Sequence, residues 1–494
     1  MKKSTKLLAS LAATLLVAGS VLPMAACSEE TVSGITTENI PVTAYNGEKV
    51  TISFYHCMGS ALKDILKDGI ADFNKLYPNI KVLTNSFGDY PGVRDQISTE
   101  IASGRAPSLA YCYPDHVALY NKSKTVLPLD SWIESTLEVK QANDTTALMG
   151  MTQAEVDNYV PVYWNEGKIY DEAKTMYTLP MLKSTELLYY NKTYFDANSL
   201  TVPTTWDEME ATCQRILEIE GAKAGGAAAN PCIPLGYDSS ANWFITMTEQ
   251  LGSGYTTSEK GNYFTFNNET NRAFVEEFRG WYQNKYVTTE EIFGSYTSDL
   301  FTQVEPSKTK CYMCIGSSAG AGYQCPAVLQ DGKTYPFEVG IAMIPQENPE
   351  SPKIISQGPS ICLFKKQNKQ EVAAAWLFSK FITSNEKFQA KCSMNNGYTP
   401  AIQSIKDNTT YKNFLNRADG NKYLQATAVQ ATMEMKDYYY VSPAFNGSSA
   451  ARDEMALLMK HCFQEKPDSG KTVTQMIESF FNDSYKKLQR RYDK

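Results

Sequence analysis

The sequence predicts an α/β protein folded as two lobes that close on one another as a clamp. Three observations carry that prediction. Strand-like and helix-like stretches alternate along nearly the whole chain after Val50, the pattern of α/β sheets. The 494 residues, 43% hydrophobic and 20% charged, are ordinary in composition but too many for one core. Within Tyr177–Lys192, the polar knot Lys183-Ser184-Thr185-Glu186 leads straight into the apolar strand Leu187–Tyr190. A polar run entering a buried strand suits a segment that passes a cleft between two sheets.

The elements follow in chain order. Lys2, Lys3 and Lys6, then the apolar run Leu7–Leu22, then Met24-Ala25-Ala26-Cys27, have the order of a secretion signal. A membrane helix left uncleaved is the alternative, disfavoured by Gly19 and Pro23; both readings put the folded part outside the cytoplasm. Residues 27–46, rich in Ser, Thr and Glu, read as a flexible tether. Val50–Tyr55, a helix over Leu62–Tyr77 and the strand Ile80–Leu83 make a βαβ unit, with Pro78-Asn79 stopping the helix. A helix over Val93–Ser103, a strand ending at Tyr113 and a helix over His116–Lys122 come next, and Trp132–Val160 reads as a helical insertion. After a turn at Leu179-Pro180 and the polar knot, Pro203, a Thr cap and acidic first-turn residues open a helix at Trp206. Gly221–Asn230 is a flexible loop. Strands at Pro234–Tyr237, Tyr312–Ile315, Glu338–Ile344 and Ile361–Phe364 alternate with helices at Asn242–Leu251, Asn271–Tyr286 and Glu371–Ile382, and the chain is helical from there to Arg491, apart from a polar turn at Asn395–Pro400.

Charge and side-chain chemistry exclude several classes. A net charge of −7 argues against a nucleic-acid binder. Three dispersed histidines, His56, His116 and His461, make no metal cluster, and no nucleophile elbow or phosphate-cradling Gly-rich loop occurs. No cofactor is expected. Ten cysteines beyond Cys27 show no disulfide-scaffold spacing and read mostly as buried thiols, with at most one or two bridges. Cys311 and Cys314 have redox or zinc spacing, but their strand context favours packing.

The stretches TLPMLKSTELLYYNKTYFD (Thr178–Asp196) and VPTTWDEME (Val202–Glu210) resemble the hinge-crossing segment of the family 1 extracellular solute-binding proteins, which capture sugars and polyol phosphates for ABC importers. The likeness is strongest to the sn-glycerol-3-phosphate-binding members. It implies a bilobal, periplasmic-binding-protein-like clamp, with lobe one at 45–183 and 335–385 and lobe two at 184–334 and 386–494, joined by hinge crossovers. The small residues before Cys27 resemble a lipoprotein processing site, although Met24 stands where Leu is usual. That likeness implies removal of residues 1–26 and lipidation of Cys27, leaving 494 − 26 = 468 residues anchored by lipid alone on the outer face of the membrane.

In α/β sheets ligands sit beyond the carboxyl ends of strands, which singles out His56, Met58 and Ser60, Gly88–Tyr90, Tyr113–Asp115, Gly316–Ser318, Gln357-Gly358 and Gly397-Tyr398. The resemblance implies ligand contacts at Tyr90, Ser184, Ser317, Gly358 and Tyr398. Three positions depart from the family pattern. Pro114 stands where an acid is expected, with Asp115 one place on. The expected stacking Trp is missing near Ser240-Ala241, with Trp243 nearby, and the phosphate-binding arginine falls on Asp453, one place from Arg452. Glu186 completes the candidate set as a hydroxyl acceptor. The function implied is capture of glycerol-3-phosphate or a related polyol ligand by a monomer that delivers it to membrane permease subunits. A mono- or oligosaccharide is the alternative ligand. A surface carbohydrate-processing enzyme, casting Glu186 and Asp115 as paired carboxylates, is the reading from another class.

Overall fold

The computed structural model describes residues 32–223, 232–330, 332–416 and 422–492. The signal segment, Cys27, the first part of the tether and most of the Gly221–Asn230 loop lie outside them. Two five-stranded sheets organise the described chain.

The first sheet runs in the order Ile80–Ser86, Val50–His56, Leu109–Cys112, Ser360–Leu363, Thr178–Pro180. Val50 pairs with Ile80 and His56 with Ser86 in parallel register, as a βαβ unit requires. The strand Ser360–Leu363 enters antiparallel between Leu109–Cys112 and Thr178–Pro180. The expected turn at Leu179-Pro180 is instead an edge strand. Proline is tolerated there because its missing N–H faces no neighbour.

The second sheet runs Val287–Thr289, Leu235–Tyr237, Met313–Ser317, Glu186–Asn191, Val339–Ala342. Val339–Ala342 pairs with Leu188–Asn191, so lobe two keeps the chain past 335. The other boundary moves too: Phe388 and Cys392 of the Glu386–Asn396 helix bury in the same core as Ile52, Leu66 and Trp376. A buried strand or helix carries no mark of which sheet it serves, so neither boundary can be read from periodicity.

Two further expectations change. Trp132–Val160 holds only short helices, at Asp130–Ile133 and Gln153–Asp157, flanking a hairpin of Glu138–Lys140 with Thr146–Leu148. Residues 33–46 are strapped to lobe one and are no tether. Ile40 and Tyr45 are buried in its core, and Ser33 donates through N and Oγ to Glu371 Oε2 at 2.8 and 2.6 Å. The ten cysteines from Cys57 to Cys462 are free thiols, eight of them buried.

Crossing segments lie side by side between the sheets. Ser184 and Gln357 exchange backbone hydrogen bonds of 2.8 and 3.0 Å, Thr399-Pro400 pairs with Leu182-Lys183, and Ile354-Ile355 pairs with Tyr439-Tyr440. These pairings form the hinge. The helix Ser448–Gln464 then returns to lobe two, where Ala451, Met455 and Phe463 join the core around Trp243.

Candidate ligand cleft between the lobes

Strand ends and helix starts from both lobes meet beside the hinge. Asp89 caps the helix Tyr90–Ala102 by accepting from Gly92 N at 2.7 Å. That cap starts the helix earlier than the sequence predicts and fixes Tyr90 in its first turn. Tyr90 stacks on Tyr113 with centroids 4.2 Å apart and planes 19° apart. Asp115 lies in the first turn of the helix Pro114–Asn121. From lobe two, Arg452 projects from the helix Ser448–Gln464 and bonds Asn242 Oδ1.

Between these groups lies a cavity of about 50 Å³ whose lining includes Tyr113, Asp115, Tyr255, Gln357, Gly358 and Arg452. Asp115 Oδ2 and the hydroxyls of Tyr255 and Ser442, also at this cavity, are buried with no hydrogen-bond partner among the described residues. Native structures rarely leave such atoms unpaired, so a polar ligand or solvent is what they are built to meet. Burial works against the charge of the Arg452 guanidinium, but Asp115 and the surrounding tyrosines hold its pKa above the ordinary value.

A relay runs back from Arg452. Asn242 Nδ2 donates to Glu186 Oε1 and to Gln357 Oε1, both at 3.1 Å, and the Tyr237 hydroxyl donates to Glu186 Oε2 at 2.8 Å. Burial pushes the Glu186 carboxyl up to about 7, against the lowering pull of those hydrogen bonds and of Arg452. Two other acids of lobe two are shifted the same way. Burial raises Asp238 to about 6 although Thr297 donates to it from N and Oγ1. Burial with Asp238, Glu291 and Asp89 nearby raises Glu290 to about 7.

Across the cleft mouth, Arg94 Nη1 of lobe one donates at 2.8 Å both to Ser449 Oγ and to Asp453 Oδ2 of lobe two. Asp453 thus joins the two lobes, and its neighbour Arg452 faces the cavity.

The candidates from sequence divide accordingly. Asp115, Gly358 and Arg452 line one cavity. Tyr90 and Tyr398 lie beside it through Tyr113; burial raises the Tyr398 phenol to about 12 while its hydrogen bond to Tyr90 pulls it down. Ser184 is buried in the hinge pairing, and Glu186 is reached only through Asn242. Ser317 Oγ accepts from Ala319 N at 3.2 Å, capping its own turn at the strand end. Gly358 has φ +103°, and a Cβ there would come 2.5 Å from Leu182 O. Trp243 is not a stacking platform for ligand. It is fully buried, stacked on Tyr237 at 4.9 Å and packed on Phe278 at 4.2 Å in the lobe-two core. Sequence reasoning passed over Asn242, Tyr255, Ser442 and Asp238. Only Asp238 carried a readable signal, since it directly follows the strand Leu235–Tyr237.

The model of the bacterial extracellular solute-binding protein family matches residues 69–418. The chain belongs to that family. As an extracellular solute-binding protein, it works outside the cytoplasm. Among curated relatives, the sn-glycerol-3-phosphate-binding periplasmic protein UgpB of Rhizobium meliloti is 24% identical over 397 residues, 77% of this chain and 82% of its own. The protein of the same name from Escherichia coli (strain K12) is 22% identical over 383 residues, 75% of this chain and 78% of its own. Among solved structures, UgpB from Mycobacterium tuberculosis in complex with glycerophosphocholine aligns with a TM-score of 0.65 at 16% identity, over 89% of this chain and 98% of that one. The GacH receptor of Streptomyces glaucescens, solved unliganded and with acarbose, aligns at 0.63 and 15% identity, over 91% and 100%. These structures share the bilobal fold with this chain.

Proposed function

We propose that this solute-binding protein closes over glycerol-3-phosphate or a related glycerophospho compound and presents it to its ABC permease. The observation that carries the reading is Arg452 facing an interlobe cavity that also holds the unpaired polar atoms of Asp115, Tyr255 and Ser442. A guanidinium takes a phosphate oxygen, and the neutral and acidic groups take hydroxyls. The names of the curated relatives and the ligand in the Mycobacterium tuberculosis structure support the same class. On this reading the groups bind a solute, and the chain acts as a binding monomer, in keeping with the names of its curated relatives. It is held on the outer face of the membrane by lipid on Cys27, and Cys27→Ser should move it from the membrane to the soluble fraction.

A neutral mono- or oligosaccharide is the second reading. The carboxylates and the stacked Tyr90–Tyr113 pair favour it, since sugars offer hydroxyls and apolar faces. Calorimetry on the mature chain with glycerol-3-phosphate, glycerophosphocholine and maltose separates the two. With a glycerophospho ligand, Arg452→Ala should cost about 1.5–3 kcal/mol, the value of a hydrogen bond to a charged group. Tight maltose binding that survives Arg452→Ala, with no response to either phosphate compound, would reject the first reading.

A further inference from the structure

The larger of the two cavities at the hinge has no part in the site just described. It encloses about 710 Å³, the size of a small-molecule site, and shares Glu166 and Val441 as a common wall with the interlobe cavity. Tyr163, Ile402, Ile405, Met433 and Tyr439 make most of its lining apolar. The Thr399 hydroxyl on its wall is buried and, among the described residues, has no hydrogen-bond partner. Lys406 and Lys436 stand exposed at its rim beside Asp437, while the other acid of the lining, Glu166, is buried and paired with Lys183.

The walls come from parts that must move relative to one another when the lobes open. Pro161–Glu166 belongs to lobe one, Thr399-Pro400 pairs with the crossing strand Leu182-Lys183, and Tyr439 pairs in the crossing with Ile354. Glu166 ties these parts together. Its carboxylate forms a buried ion pair with Lys183 and accepts from Ser356 Oγ at 2.7 Å, and Lys183 Nζ lies 5.9 Å from the centre of the Tyr163 ring.

We propose that this hinge cavity is a second binding site, for an amphipathic anion with an apolar body and a carboxylate, sulfonate or phosphate head toward Lys406 and Lys436. Its occupancy is coupled to lobe closure, because a change in hinge angle moves its walls and any ligand that prefers one arrangement shifts the other. The inference is independent of which solute the cleft takes.

The probe is 8-anilinonaphthalene-1-sulfonate, an apolar body with one sulfonate, titrated into the folded full-length mature chain by fluorescence. One saturable site is expected. Met433→Trp, which fills the cavity, should weaken it at least tenfold. Lys406→Glu with Lys436→Glu, a change confined to exposed side chains, should weaken it at least fivefold even if the Trp variant folds poorly. Arg94→Ala, which loosens the contact between lobes, should change probe affinity at least threefold. Absence of a saturable site, or wild-type affinity in both the filled and the charge-reversed variants, overturns the site. Equal affinity in wild type and Arg94→Ala overturns the coupling.

Discussion

Replacing Arg94 with alanine tests whether contacts across the cleft mouth set how tightly solute is held. The guanidinium makes two bonds that exist only while the lobes touch, to Ser449 Oγ and to Asp453 Oδ2, each 2.8 Å long. Its third bond, to Asp95 on the same helix, persists in any arrangement of the lobes and drops out of the difference. The Arg94 side chain is 12% exposed but Asp453 is 49% exposed, so the ion pair is screened on one side and contributes about 0.5–1 kcal/mol. The hydroxyl bond adds about 1 kcal/mol. Together, about 1.5–2 kcal/mol of the closed state's advantage depends on Arg94, a factor of roughly 10–30 in the closed-to-open ratio. Since solute leaves only when the lobes part, the change should appear as a 10–30-fold faster off-rate with a nearly unchanged on-rate. Stopped-flow fluorescence with glycerophosphocholine measures both, and raising the salt should shrink the wild-type advantage. An off-rate within twofold of wild type would refute this account. So would a fall in ligand-free melting temperature large enough to show that Arg94 stabilises its own lobe.

Two further variants probe the hinge. Burial raises Glu186 from 4.5 to about 7, so between those values the folded chain keeps a proton that the unfolded chain releases; its contribution to stability is complete below pH 4.5 and lost as pH rises to 7. The loss amounts to roughly 3 kcal/mol, and Glu186→Gln should flatten the difference between urea unfolding at pH 5 and pH 8; an unchanged difference would assign the slope elsewhere. Gly358→Ala places a Cβ 2.5 Å from Leu182 O and 2.8 Å from Lys183 Cα at φ +103°, so it should cost at least about 2 kcal/mol in chemical denaturation and weaken solute binding, and wild-type stability would contradict the close approach described.

Much of this was legible from residues alone, for local reasons. Val50–Tyr55 carries the apolar, β-branched run of a buried parallel strand and Ile80–Leu83 pairs beside it at the sheet edge, and both fall in the first sheet. The strand-end rule reached Asp115 and Gly358, which line one cavity, because it follows from how any α/β sheet is wound. Trp243 shows where such reading stops. Successive helix residues point about 100° apart, and in the helix Ser240–Leu251 it is Asn242 that faces Arg452 while Trp243 turns into the core. Nearly every residue of that helix is buried, so its hydrophobic pattern does not say which side meets the cleft. Lobe boundaries were illegible for a related reason: Val339–Ala342 suits either sheet, and only pairing with Leu188–Asn191 decides. The strap at 33–46 depends on Glu371, more than three hundred residues away.

The order in which the chain visits its two sheets bears on how the protein is made. The first sheet cannot be completed until Ser360–Leu363 is available to slot between strands synthesised much earlier, and its core then draws on Phe388, Phe414 and Val429. The second sheet closes sooner, but its core includes Met455, Phe463, Phe481 and Leu488 from the last helices. No N-terminal fragment therefore owns a finished core, and with so many contacts between distant residues the final collapse is slow and late. For a protein that works outside the cytoplasm this is an advantage in transit. A chain that has not yet reached its last helices has no finished core to resist being threaded through a narrow passage.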